Sequence, residues 1–204
     1  FPYLIPANAM AVVNLRAIRP ILEELGAETT LKFTSRLAEQ IQVGMKSWGI
    51  VPHPEFGEIY AYEADGFGSH LIMDDPNIPS LLSLPYLGYG KIADEVYQNT
   101  RKLILSNWNS FYAKGNVACG LTSPHVGVCN QFWPMATIMQ ALTSTDEKEI
   151  HECLKTLKNT HADTFFMHES IHIDNPHHYT RPWFAWVNSL FGELILKLQK
   201  ENPE

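Results

Sequence analysis

FFMHESIHIDNPHHYTRPWFAW, residues 165–186, packs one glutamate, four histidines, one arginine and two tryptophans into twenty-two positions. How its backbone runs decides the fold. His168-Glu169-Ser170-Ile171-His172 fits the His-Glu-x-x-His pattern, which binds zinc only when a helix puts both imidazoles on one face. Here Ile171, Ile173, Asn175 and Pro176 favour extended or turning backbone instead. The stretch therefore reads as a long polar loop, with its histidines on a pocket rim rather than as metal ligands. Glu169 then has two readings. One is a structural ion pair with Arg181. The other is acid–base work on a substrate stacked against tryptophan, since flat apolar rings suit a sugar face and Arg supplies donors to hydroxyls.

Outward from this stretch, the chain reads as helices joined by long loops. Apolar residues recur at helical spacing over 7–25, where Pro20 implies a break. They recur again over 27–48 through Leu31, Phe33, Leu37, Ile41 and Met45. Residues 55–73 alternate around Asp65-Gly66 and predict a β-hairpin. A short helix is expected near Pro79, a further one over 91–108, and a helical hairpin over 131–142 and 146–160 with Ser144 or Thr145 as N-cap. The last helix is placed at 181–200, with Pro182 in its first turn. Residues 111–130 have no period. Loops of this length in a compact domain usually carry function. An all-α toroid, with loops gathered at one end and one small β-hairpin, fits the pattern.

Composition narrows the function. Fifteen Lys plus Arg against 22 Asp plus Glu leave a net charge of −7. That argues against a nucleic-acid partner, and no helix carries a basic stripe. No apolar run reaches the roughly 18 residues of a membrane span. Cys119, Cys129 and Cys153 are odd in number and irregular in spacing, so no disulfide framework follows. A thiol nucleophile, Cys119 or Cys129 with His125, has only proximity behind it. Phosphate-binding, dinucleotide-binding and serine-elbow glycine motifs are absent. The opening FPYLIPANAM does not begin with Met and has no basic leader, and reads as a start partway through a longer protein. Asp74 and Asp75 open DDPNIPS, where helix capping is the plain reading and substrate contact the other.

Five stretches in order resemble glycoside hydrolase family 125, the exo-α-1,6-mannosidases. They are FPYLIPANAMAVVNL (1–15), YEADGFGSHLIMDDPNIPSLLSLPYLGY (62–89), SPHVG (123–127), FWPMATIMQALTS (132–144) and THADTFFMHESIHIDNPHHYTRPWFAWVNSLFGELI (160–195). The resemblance implies an (α/α)6 toroid of about twice this length, with residues 1–204 as its C-terminal half. It implies inverting, metal-independent hydrolysis of terminal α-1,6-linked mannose and no cofactor. The general base of the Met-His-Glu-Ser motif falls on Glu169. The general acid, an Asp just ahead of Tyr-Leu-Ile-Pro-Ala-Asn, falls before Phe1, so the missing N-terminal half is an expected partner; Asp75 is the fallback acid. Asp74, Asp75, Asn77, His125, Arg181 and Trp183, all in the matched loops, are the candidates for gripping or stacking on mannose. A non-catalytic carbohydrate-binding helical domain is the competing class, and a His-coordinated metalloenzyme the third.

Overall fold

The computed structural model describes residues 1–126 and 130–201. The chain divides into two units, one of Phe1–Met73 with Pro79–Leu103, the other of Asp74–Ile78 with Ile104 onward.

The first unit opens with β1 (Tyr3–Leu4), α1 (Ile5–Ala17), α2 (Arg19–Glu24) and α3 (Glu28–Trp48). The break between α1 and α2 falls at Ile18, and Pro20 sits in the first turn of α2, where its missing N–H costs nothing. Gly26 (φ 62°) lies at the end of that helix. Helix α1 packs on α3, burying Ile5, Ala9 and Val12 against the Ala38 and Met45 side. Phe33, expected on the buried stripe of α3, is 64% exposed, and Thr34 takes the inward position.

Then come β2 (Ile50–His53), β3 (Gly57–Tyr60), β4 (Glu63–Ala64), β5 (His70–Leu71) and α4 (Glu95–Ile104). β2 and β3 form one antiparallel pair. β4 and β5 form a second, with β1 added beside β4. Its turn holds the expected Asp65-Gly66, and Asp65 Oδ1 accepts from the N–H groups of Phe67 and Ser69. Residues 82–88 form consecutive turns, so the helix expected after Pro79 does not form.

The second unit contains β6 (Tyr112–Lys114), β7 (Cys119–Leu121), a single 3-10 turn at Pro124–Val126, β8 (Gln131–Phe132), α5 (Pro134–Leu142), α6 (Glu147–Asn159), β9 (Ser170–His172), β10 (Asn175–Thr180) and α7 (Ala185–Glu201). Helix α5 is buried almost throughout and packs against both α6 and α7. Asp146, rather than Ser144 or Thr145, caps α6: its side chain accepts from the Lys148 N–H. Helix α7 starts four residues later than expected. Leu190 and Leu194 face inward, while Trp183 and Trp186 are 60% and 48% exposed.

The expectation of an all-α chain with one hairpin is corrected here. Helices dominate, but among the described residues ten short strands form four small antiparallel sheets. The one that matters for function is β10-β9-β8. One face of it, with Phe132, Ile171 and Ile173, closes a small apolar cluster with Ala118. No described helix is long and apolar enough to cross a membrane.

Candidate active site

Residues 165–186 run mainly as strand and turn. β9 begins directly after Glu169, and β10 returns beside it with Thr180 opposite Ser170 and Tyr179 opposite Ile171. A strand spaces His168 and His172 far beyond the pitch of a helical zinc pair. Both rings are engaged elsewhere. His168 is fully buried; its ring nitrogens meet Thr164 Oγ1 at 3.0 Å and the Arg181 carbonyl at 3.1 Å, and it stacks on Tyr179 at 3.7 Å. His172 Nδ1 accepts from the Asp174 N–H, and Nε2 contacts Asn130. Among the described residues no group of three or more His, Cys, Asp or Glu is arranged to hold a metal ion.

The carboxylate of Glu169 is held at both oxygens. Arg181 Nε donates to Oε1 at 3.1 Å, and the Thr180 hydroxyl meets Oε2 at 3.1 Å. The Glu169 side chain is 14% exposed and that of Arg181 59%. The ion pair of the structural reading thus exists. Each carboxylate oxygen nevertheless keeps a second lone pair beyond its protein partner, enough to orient a water. The guanidinium lies 5.1 Å from the Phe184 ring centre. Trp183 meets Phe166 edge-on at 5.0 Å, so its exposed indole is braced from one side. The backbone is strained at four positions in residues 162–181. Arg181 (φ 48°), Ala162 (52°), Asp163 (60°) and Phe165 (61°) all adopt the left-handed region, rare for residues with a Cβ. Strain of this kind concentrates at functional sites.

A second polar group lies in the same unit. Asp75, 5% exposed, accepts from the Ser123 hydroxyl at 3.1 Å and from the Asn77 N–H at 3.0 Å, both at Oδ1. Its Oδ2 lies 2.9 Å from His125 Nε2, whose side chain is 56% exposed. The His125 ring leans toward Trp133, centres 6.3 Å apart. Two buried polar atoms nearby in sequence have no partner among the described residues, Asn77 Oδ1 and Trp133 Nε1. Capping, the plain expectation for the aspartates, is overturned: no helix follows, and Asp75 instead orients a histidine. Asp74 is fully buried, and its N–H donates to Asn109 Oδ1. Among the described residues no hydrogen bond or ion pair links Glu169 or Arg181 to Asp75, Asn77 or His125.

Cys119 is exposed on β7 and Cys153 is buried in α6; Cys129 lies outside the described residues. A cavity of about 430 Å³ in the first unit, lined in part by Tyr3, Asn8, Trp48 and Phe67, holds none of the predicted site residues. Its one carboxylate, Asp65, is committed to the β4–β5 turn, and the Phe67 N–H above all holds that carboxyl below its ordinary range. Thr180, Ser170 and Gln131 escaped the sequence reading. Their signal is weak: each is a lone small or amide residue in a short strand, given meaning only by register.

The model of the family described as metal-independent alpha-mannosidase (GH125) matches residues 1–196. The meiotically up-regulated gene 157 protein of Schizosaccharomyces pombe is 50% identical over 202 residues, 98% of this chain and 40% of that protein. A Streptococcus pneumoniae structure, described as a metal-independent alpha mannosidase in a non-productive substrate complex with alpha-1,6-mannobiose, superimposes with a TM-score of 0.93 at 41% identity. The match covers 98% of this chain and 47% of that one. The chain thus spans less than half the length of either relative, and it belongs to the GH125 family of metal-independent α-mannosidases.

Proposed function

We propose that this chain is the base-bearing part of an exo-acting α-1,6-mannosidase that works with inversion. In such a reaction Glu169 takes a proton from a water. The water oxygen bonds to the anomeric carbon as the bond to the departing sugar oxygen breaks, and an acid on the other face protonates that oxygen. Base and acid stand about 6.5–9.5 Å apart to leave room for the water. The observation that carries the reading is the Glu169 carboxylate itself, mostly buried and held at both oxygens, one of them by an exposed arginine. Arg181 and Trp183 would grip and stack on mannose beside the water. Asp75 would fix His125, and His125 with Asn77 and Asp74 would shape the rest of the pocket. The acid would come from the part of the relatives' length that this chain does not span. On this reading the chain forms half of an (α/α)6 toroid, and exposed Phe33, Phe165 and Trp186 are surfaces for the other half.

The test is Glu169→Gln in the longer polypeptide, assayed on an α-1,6-linked mannobiose with proton NMR of the first-formed anomer. Wild type should release β-mannose. The variant should lose turnover by more than a thousandfold while binding the disaccharide at near-wild-type affinity, since the amide keeps shape and loses basicity. Retained turnover, or release of the α-anomer, would reject the assignment.

A further inference from the structure

Behind Glu169 lies a hydrogen-bonded row that the hydrolysis reading leaves unused. Glu169 Oε2 is 3.1 Å from Thr180 Oγ1, which is 2.7 Å from Ser170 Oγ, which is 2.6 Å from Gln131 Oε1. Ser170 is fully buried and Gln131 is 4% exposed. The row crosses all three strands of the β10-β9-β8 sheet, so register alone brings it together.

Hydrogens can be counted along it. Three contacts need three hydrogens, and two hydroxyls supply two. At 2.6–2.7 Å neither inner contact survives without one. The third must come from an end. With Gln131 Oε1 toward Ser170, the third hydrogen is a proton on Glu169, and the row runs Glu169 to Thr180 to Ser170 to Gln131. If the amide makes a half-turn, Nε2 donates to Ser170, Ser170 to Thr180, and Thr180 to an ionised Glu169. Both arrangements are complete, and they differ only in amide orientation, hydroxyl rotation and the charge on Glu169.

We propose that Gln131 is a positioning residue whose amide turns with the charge of Glu169, satisfying the base before and after it takes the proton from water. The inference rests on Glu169 being that base. No proton leaves through the row: the proton gained from water stays on Glu169 until it returns to solvent, and the hydroxyls only rotate. Among the described residues, the titratable groups that touch Glu169 or stand next to the row in sequence or register include Arg181, bonded to the carboxylate, His168, whose nitrogens face Thr164 and the Arg181 carbonyl, Tyr179, stacked on His168, and His172, opposite Gln131.

The test is the pH dependence of kcat/KM on mannobiose in the longer polypeptide, with thermal melts to establish folding. An ionised carboxylate at position 131 only accepts, so Gln131→Glu should move the acid limb up by about one pH unit, a tenfold loss on that limb. Adding Ser170→Ala to Gln131→Glu breaks the row and should return the limb toward wild type. If Gln131→Glu does not fold, the test rests on Thr180. Thr180→Val should raise the limb by removing the donor to the carboxylate, and Thr180→Ser should restore it. An unmoved limb in the folded variants, or a Gln131→Glu shift that survives Ser170→Ala and so acts through space, overturns the proposal. Turnover by Glu169→Gln would instead overturn the base assignment, so the two failures are separable.

Discussion

At the scale of single residues, Asp75 is a heavily committed side chain that the sequence singled out. Its carboxylate satisfies a buried hydroxyl, a backbone N–H and an imidazole. Removing it leaves the first two donors without their acceptor, at a cost of about 1–3 kcal/mol. The imidazole contact adds little, because His125 is mostly in water. Asp75→Ala should therefore lower the melting temperature by roughly 3–10 °C, given about 2–4 °C per kcal/mol for a chain of this size. Asp75→Asn, which keeps one carbonyl oxygen for Ser123 and Asn77, should recover most of that loss in the same melt. A melting temperature unchanged by Asp75→Ala would show that the three bonds contribute nothing net. The sequence marked Glu169, Arg181 and Asp75 because charge amid aromatic or Pro-rich loops is unusual. It could not mark Thr180 or Gln131. A threonine and a glutamine gain meaning only when two strands align, and alignment is a three-dimensional fact.

At the scale of elements, close approach and local propensity make opposite demands on glycine. Gly115 follows β6, where a Cβ would lie 2.5 Å from the Ile173 carbonyl oxygen. That oxygen accepts from both Val117 and Ala118 N–H groups, so it cannot retreat without breaking two bonds. Gly192, inside α7, would meet nothing within 4 Å. Gly115→Ala should destabilise by more than about 2 kcal/mol through overpacking. Gly192→Ala should stabilise by about 0.5–1 kcal/mol through helix propensity. Urea unfolding midpoints of the two variants on opposite sides of wild type would bear this out, and the same sign for both would refute it. The longer helices were legible because their apolar period runs over three turns or more, as in α3 and α6. The strands mostly were not. β6, β7, β8 and β9 are two or three residues long, too short for alternation to register, and β8 finds its partner β9 some forty residues on, with Gln131 opposite His172. Where an Asp-Gly supplied turn chemistry, as at Asp65-Gly66, the hairpin was visible. The helix expected after Pro79 failed because Pro85 and Gly88 interrupt the run and Ser80 and Ser83 bond each other's backbone, closing turns in its place.

At the scale of the whole molecule, alkaline stability can be foreseen. Burial pushes the Tyr60 hydroxyl up to about 12, aided by Tyr89 and Asp94; burial pushes Tyr112 to about 12 as well, aided by Cys119. Both phenols would titrate near 10 in an unfolded chain. Between these limits the folded protein keeps protons that the unfolded chain releases, so stability falls as pH rises. Their contribution is complete below pH 10 and is lost between 10 and 12. Urea midpoints should hold up to pH 9.5 and drop by pH 11. Tyr60→Phe should soften that drop, and an equal drop in the variant would exclude Tyr60 as a cause.

The partition of the chain has a consequence for synthesis. Asp74–Ile78 belongs with residues 104 onward, although the chain before and after it belongs to the other unit. A nascent chain extends at roughly 5–20 residues per second, and Ser123 follows Asp75 by 48 residues. For some 2–10 s on the ribosome, Asp75 has emerged while its hydroxyl and imidazole are still unmade. The second unit cannot mature as an independent tail, and a chain started at residue 104 would lack the carboxylate that seats His125.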